Sequence, residues 1–168
     1  MNLRLFLAIE VPEEWRRVAR VAVSTLELEH AQSLRVVRPE LLHITVRFFG
    51  EVDEQHAMVL RTALQKAVLP VGLSLTLNKA GTFGSLARTN VIWLGVGGDL
   101  DGLCALSARV EEVAIKIGLA SEKRKRRPHL TLARVRRQVG ADERRTIAAS
   151  VSSLNEPQAS ALVVRELV

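Results

Sequence analysis

The stretch that decides the fold is His43-Ile44-Thr45-Val46, which returns 86 residues later as His129-Leu130-Thr131-Leu132. In an extended strand, successive side chains point to opposite faces, so each copy places its histidine and threonine on one face and its two aliphatic residues on the other. If two such strands lie side by side, two imidazoles and two hydroxyls line one groove. We therefore predict that these strands supply both part of the core and a site that suits a single phosphate.

The length and composition predict one globular unit. The chain has 168 residues, of which 48% are hydrophobic, and this is enough for one substantial core but short for two full domains. The single cysteine, Cys104, excludes an internal disulfide and a cysteine-rich zinc site and fits a reducing cytoplasm. We expect Cys104 to fill space in the core.

No stretch of the sequence has the length of a membrane span. The apolar run over residues 1–10 is too short, and it lacks the basic leader and the small-residue cleavage site of a signal peptide. We therefore expect a cytoplasmic protein that does not associate with membranes and that works as a monomer without an obligate protein partner.

The periodicity of apolar residues predicts a mixed fold. Alternating apolar residues predict strands over residues 3–10, 34–38, 42–49, 73–78, 90–96, 129–136 and 159–167. Apolar residues that step by three and four predict helices over residues 13–29, 53–68, 99–117 and 142–153. Because hairpin-like neighbouring strands occur beside alternating strands and helices, we favour an α+β fold with antiparallel sheets over a parallel doubly wound sheet.

The positive charge of the chain is concentrated around the second motif. The net charge is +6, and the segment from Glu122 to Arg137 alone contains eight basic residues and one acidic residue. Such a patch is typical of a surface that binds a polyanion. A solvated basic loop is the alternative explanation. If the patch binds RNA, Arg124, Arg126 and Arg127 are candidate substrate-binding residues.

Two histidines in one groove can divide the proton transfers of phosphodiester hydrolysis. A neutral imidazole takes a proton from the attacking water, and an imidazolium gives a proton to the departing oxygen. The threonine hydroxyls can donate hydrogen bonds to the non-bridging oxygens. Such a pair needs no metal and no cofactor, and neither His30 nor His56 has a partner at metal-ligand spacing, so we expect both at the surface. The substrate that fits best is a strained ribose 2′,3′-cyclic phosphate.

The motifs and their flanks also carry a family resemblance. Residues 43–52 (HITVRFFGEV) and 127–135 (RPHLTLARV) resemble the two signature motifs of the 2H phosphoesterase superfamily. The branch that they resemble is the RNA 2′,3′-cyclic phosphodiesterases, also called 2′-5′ RNA ligases, and the similarity covers nearly the whole chain. The resemblance implies a single domain, residues 1–168, with two pseudo-symmetric lobes. Each lobe is expected to hold a mainly antiparallel sheet flanked by helices, with the active-site groove between the lobes.

The resemblance, and not the spacing, implies the role of each motif residue. It implies that His43 is the proton donor to the leaving oxygen and His129 the proton acceptor that activates water, while Thr45 and Thr131 hold the phosphate. The substrate would be RNA with a 2′,3′-cyclic phosphate terminus. The product would be a 2′-phosphomonoester, so that the 3′ oxygen leaves, and reversible 2′-5′ ligation would be an in vitro activity.

Three further side chains are left open. Arg47 shares the strand parity of His43, so it either leans towards the phosphate or is a solvated strand residue. Arg134 matches a family arginine, yet strict alternation from His129 sends it to the opposite face, so either a bulge re-aims it or it is structural. Phe83, which is flanked by glycines, either stacks a base or fills the core.

Two other functions remain open from the sequence. The same fold can act on small cyclic nucleotides instead of RNA ends. Alternatively, the chain can be an RNA-binding module whose motif pair is catalytically idle.

Overall fold

The computed structural model describes residues 2–122 and 127–168, and its helices and strands follow the changes of periodicity in the sequence. The strands of the described residues are β1 (Asn2–Glu10), β2 (Leu34–Val36), β3 (His43–Asp53), β4 (Ser74–Phe83), β5 (Val91–Gly98), β6 (His129–Val135) and β7 (Leu162–Val163). The α-helices are α1 (Glu13–His30), α2 (Glu54–Lys66), α3 (Leu100–Lys116) and α4 (Ala141–Ser152).

The strands of the described residues form one antiparallel sheet in the order β1-β3-β6-β5-β4-β7, and β2 pairs with β6. The two motif strands, β3 and β6, are neighbours, but they meet at a single residue pair, Ile44 and Leu130. The prediction of an α+β fold with antiparallel pairing is confirmed. The observed fold differs in one respect from the expectation of two sheets. The Ile44–Leu130 pair joins the β1-β3 half to the β6-β5-β4 half in a single sheet.

The aliphatic half of each motif lies in the hydrophobic core. Ile44, Leu130 and Leu132 are fully buried, and Val46 is 4% exposed. They belong to the same buried cluster as side chains from α1, α3 and α4. Burying one such side chain contributes about 1.5–3 kcal/mol. The core therefore fixes the two strands whose opposite face carries the histidines.

Both motif strands contain an extra residue at the fourth position of the motif. On β3, the β1 partners of Thr45 and Arg47 are consecutive, so Val46 is inserted. On β6, the β5 partners of Thr131 and Ala133 are consecutive, so Leu132 is inserted. A bulge of this kind reverses the parity of every side chain that follows it.

Three ends of the helices have specific local stabilisation. Asp53 caps α2 by accepting a hydrogen bond from the backbone N–H of His56 at 3.0 Å, and Asp99 caps α3 through Gly102 N–H at 2.8 Å. Gly118 follows α3 with φ of +87°, a left-handed conformation that favours glycine at the end of a helix.

Three expectations were wrong. Cys104 is exposed, because it lies beside the apolar stripe of α3 and not within it. His30 is only 3% exposed, because the end of α1 packs against α4. The last strand is limited to Leu162–Val163. Among the described residues, no helix is both long enough and apolar enough to cross a membrane.

Candidate active site

The histidines of the two motifs are held in the same way. His43 Nδ1 lies 2.7 Å from the carbonyl oxygen of Leu41, and His129 Nδ1 lies 2.7 Å from the carbonyl oxygen of Arg127. Because a carbonyl can only accept, each Nδ1 carries the proton of this bond, which assigns the tautomer. Each Nε2 is then the atom that accepts a proton in the neutral ring and donates one in the imidazolium.

The pairing of β3 with β6 brings the two motifs together. Ile44 lies opposite Leu130, and the pair is antiparallel. The histidine of each motif therefore lies beside the threonine of the other motif on the opposite face of the sheet from the core. This register gathers four side chains that the sequence singled out, namely His43, Thr45, His129 and Thr131.

Aromatic rings contact both imidazoles. Phe6 of β1 stacks on His43, with the ring centroids 4.7 Å apart and the planes at 21°. Phe83 of β4 makes an edge contact with His129, with the centroids 4.8 Å apart and the planes at 90°. The Trp93 ring lies 6.4 Å from His129. The structure thus places Phe83 against a motif histidine, and it adds Phe6 and Trp93, which only the pairing of β1 with β3 and of β5 with β6 could reveal.

Arg47 lies in the interior, away from the groove. It is 4% exposed, it forms an ion pair with Glu111, and it donates hydrogen bonds to the carbonyl oxygens of Phe48 at 2.7 Å and Ala120 at 2.8 Å. The bulge at Val46 explains this placement, because it reverses the parity that the sequence assigned to Arg47. The structure does not bring Arg47 together with the motif histidines.

Arg134, unlike Arg47, lies on the same face as the motif histidines. The bulge at Leu132 restores it to the face of His129 and Thr131, where its side chain is exposed. Arg134 lies directly opposite Arg35 of β2. Arg35 is also exposed, and the sequence analysis did not suggest it. Like charges at directly opposed positions are destabilising, so the pair favours an anion in the groove.

The basic patch is described only at its edges. Arg124 and Arg126 lie outside the described residues. Arg127 is exposed, and its guanidinium carbon lies 4.7 Å from the centroid of the Trp93 ring. This geometry is a cation–π contact, and it holds one cation of the patch next to the second motif.

Two carboxyl groups with lowered pKa values, those of Asp53 and Glu143, lie away from the motif histidines. The hydrogen bond from the His56 backbone N–H lowers the pKa of Asp53, and the hydrogen bond with the His30 imidazole lowers the pKa of Glu143. Both carboxylates stabilise helix starts. Among residues 2–122 and 127–168, no cluster of three histidine, cysteine or acidic side chains is arranged to hold a metal ion.

Two neighbouring strands that each present a histidine and a threonine on one face of the sheet are the arrangement of a 2H phosphoesterase. The chain belongs to the 2′-5′ RNA ligase superfamily, whose family model matches residues 11–167.

The similarity extends to named relatives and to solved structures. The chain is 32% identical over 134 residues to the RNA 2′,3′-cyclic phosphodiesterase of Methanocaldococcus jannaschii, and this alignment covers 80% of this chain and 72% of that protein. It is 32% identical over 133 residues to the Escherichia coli protein of the same name, which covers 78% of this chain and 71% of that protein. The crystal structure of E. coli LigT complexed with 3′-AMP matches with a TM-score of 0.71 and 26% identity over 99% of this chain and 86% of that chain.

Proposed function

We propose that this protein hydrolyses the 2′,3′-cyclic phosphate ends of RNA to 2′-phosphomonoesters. The observation that carries the proposal is the identical anchoring of His43 and His129, whose Nδ1 atoms each donate to a carbonyl two residues earlier. In the proposed reaction, the Nε2 atoms of these two rings carry out the acid–base work. The name of the curated relatives, RNA 2′,3′-cyclic phosphodiesterase, supports the same reaction.

The reaction divides between the histidines. His129 Nε2 takes a proton from water as the water oxygen attacks phosphorus, and His43, as an imidazolium, gives a proton to the departing 3′ oxygen as the P–O3′ bond breaks. The 2′ ester is retained, and a proton exchange with solvent resets both rings. The family resemblance supports this assignment of donor and acceptor. Because the five-membered ring of the substrate is strained, acid and base assistance is sufficient without a metal ion.

Charged and hydroxyl groups around the histidines suit the phosphate. In the proposed reaction, Thr45 and Thr131 donate hydrogen bonds to the non-bridging oxygens, where charge increases in the pentavalent transition state. Arg134 and Arg35 add two opposed cations on the same face. Arginine is well suited to this task, because its planar fork matches two oxygens of one phosphate.

The wider setting is also part of the proposal. Residues 1–168 form one domain in which the β1-β3 half and the β6-β5-β4 half act as two lobes on either side of the Ile44–Leu130 pair. An exposed free thiol at Cys104 fits a reducing cytoplasm. We infer that the protein works there as a monomer, with RNA ends as its partner.

A small nucleotide is the second candidate substrate. Similar structures hold small nucleotides, namely E. coli LigT with 3′-AMP and with NADP+. If a small nucleotide is the true substrate, 2′,3′-cyclic AMP is turned over as well as a cyclic-ended oligonucleotide.

The test is a turnover assay on a cyclic-ended oligoribonucleotide and on 2′,3′-cyclic AMP, with the isomer of the product identified. We expect the oligonucleotide to be preferred, the product to be the 2′-phosphate, and EDTA to have no effect. His43→Ala and His129→Ala should each lower kcat by about 10³-fold or more while the circular dichroism spectrum is retained. Full activity in either variant contradicts the two-histidine mechanism, and salt-dependent RNA binding without turnover would indicate an idle binding module.

A further inference from the structure

We propose that Arg127 binds the phosphodiester linkage that precedes the cyclic end, so that this residue distinguishes an RNA chain from a mononucleotide. The inference rests on the proposed function and deepens it by naming the second phosphate that the site recognises. It depends on Arg127, on Trp93 and on the glycine beneath that ring.

Trp93 is a fixed platform. Its side chain is 5% exposed, and it lies on β5 directly opposite Gly81 of β4. A Cβ atom added to Gly81 would lie 2.3 Å from Trp93 Cη2 and 2.5 Å from Cζ2, so the ring occupies the place of the missing side chain. The glycine therefore lets the indole lie close against the strand, on the face that carries His129.

Arg127 is held at both ends. Its guanidinium carbon lies 4.7 Å from the Trp93 ring, and its carbonyl oxygen accepts the hydrogen bond from His129 Nδ1 at 2.7 Å. Its charge is thus fixed within one side-chain length of the residue that we place at the cyclic phosphate. Beyond the cyclic phosphate itself, the preceding linkage is the next anion along an RNA chain, and it is the one that we assign to this charge.

The charge of Arg127 is not neutralised within the part of the chain that the structure describes. No aspartate or glutamate among residues 2–122 and 127–168 forms an ion pair with it, whereas Arg47 is paired with Glu111. A guanidinium that stacks on an indole keeps its edge N–H groups directed outwards, where they can donate to phosphate oxygens. Trp93 is a positioning residue in this arrangement, because it acts on the substrate only through Arg127.

The experiment changes the charge of the linkage and the arginine separately. The substrates are a cyclic-ended diadenylate with its ordinary linkage and the same molecule with an uncharged methylphosphonate linkage, each diastereomer measured separately. For the unmodified protein, we expect kcat/KM to be about tenfold higher for the charged linkage, as for one charge-assisted hydrogen bond. In Arg127→Ala the ratio should fall to about one, because the charge then has no partner.

The matched control is Arg17→Ala, which removes one exposed arginine from α1 and should leave the ratio unchanged. Trp93→Phe, with a weaker cation–π platform, should give an intermediate ratio, and Arg127→Lys should restore part of it. A ratio near one in the unmodified protein, or an unchanged ratio in Arg127→Ala, overturns the inference.

A binding measurement separates this inference from the proposed function. Titration calorimetry with an uncleavable diadenylate 3′-phosphate, charged or neutral at the linkage, needs no turnover. We expect the neutral linkage to weaken Kd about tenfold in the unmodified protein and not in Arg127→Ala. If no cyclic substrate is hydrolysed, the proposed function fails, and this ratio of Kd values still decides whether Arg127 binds the linkage.

Discussion

β3 and β6 begin with the same pattern and bulge at the same motif position, yet the residues after the bulge differ. On β3, the bulge sends Arg47 into the interior and Phe48 to the groove face. On β6, it leaves Ala133 in the interior and sends Arg134 to the groove face. The arginine of β3 thus has a structural role in the interior, whereas the arginine of β6 is exposed on the face that carries the motif histidines.

The interior arginine ties the first motif strand to the chain that leads into the second motif. Arg47 pairs with Glu111 of α3 and binds the Ala120 carbonyl, while the other Glu111 oxygen accepts the backbone N–H of Glu122 at 2.9 Å. The Glu122 carboxylate accepts a hydrogen bond from the backbone N–H of Phe48 at 3.4 Å, which links the segment back to β3. β3 is therefore joined to α3 and to the chain before the second motif by a partly buried polar network.

The largest expected effect comes from breaking this network. Arg47→Met should lower the free energy of unfolding by about 3 kcal/mol, because it leaves the partly buried Glu111 carboxylate without its partner. Urea denaturation measures the change. The double variant Arg47→Met with Glu111→Leu should regain most of the loss, since no unpaired charge is then buried. An Arg47→Met protein of full stability but reduced activity would instead assign Arg47 to the groove.

The next effect concerns the exposed arginine. Arg134→Ala should lower kcat/KM for a cyclic-ended oligonucleotide by about 100-fold, because a cation directed at the transition-state phosphate is lost. The free energy of unfolding should change by less than about 0.5 kcal/mol, since the side chain is exposed. Phe48→Leu, at the equivalent position on β3, is the matched control and should change kcat/KM by less than about threefold. Equal losses in both variants would contradict the assignment of different tasks to the two strands.

This contrast also marks what the sequence could predict. Alternation and helical spacing placed the strands and helices, and strand parity correctly put His43 beside Thr45 and His129 beside Thr131. Parity failed for Arg47 and Arg134, because an inserted residue is a property of the pairing between strands and leaves no periodic signal in one strand. The predicted bulge alternative for Arg134 is confirmed, although its partner Arg35 comes from β2 and could be found only through the pairing.

Burial of individual side chains was also difficult to predict from the sequence. His30 was expected at the surface because it has no partner at metal-ligand spacing in the sequence, but Glu143 and Ser150 of α4 hold its two ring nitrogens, each at 2.9 Å. Such a contact between residues more than 100 positions apart depends on how the helices pack. The same reason applies to the Trp93 platform, since Gly81 and Trp93 meet only when β4 pairs with β5.

A smaller effect tests whether the two halves of the groove share the phosphate equally. Thr45→Val and Thr131→Val should each lower kcat by about tenfold, because each removes one hydroxyl donor to a non-bridging oxygen. KM for 2′,3′-cyclic AMP should change less than kcat, since the charge on these oxygens rises in the transition state. A loss confined to one variant would indicate that the phosphate lies on one strand only.

The smallest effect compares the helices that follow the two motif strands. Asp53 caps α2 after β3, whereas α4 after β6 has Gly140 at its N-cap position without a side-chain cap, and its first turn contains Glu143. The hydrogen bond with His30 holds the pKa of Glu143 below its ordinary value of 4.5. A carboxyl with a lowered pKa stabilises the folded state above the ordinary value, and this stability is lost as the pH falls through the lowered value.

Glu143→Gln should therefore lower the free energy of unfolding at pH 7, measured by urea denaturation, by less than about 1 kcal/mol. The effect is small because the carboxylate is partly solvated. The difference from the unmodified protein should begin to shrink as the pH falls below about 4.5 and should be lost below the lowered pKa of Glu143, where both proteins carry a neutral side chain at this position. Asp53→Asn is the matched variant on α2, and its difference should begin to shrink only below about pH 4 because the ordinary value for Asp53 is 3.8. If the Glu143→Gln difference were the same at pH 3 and pH 7, the link between α1 and α4 would depend on packing and not on the carboxylate charge.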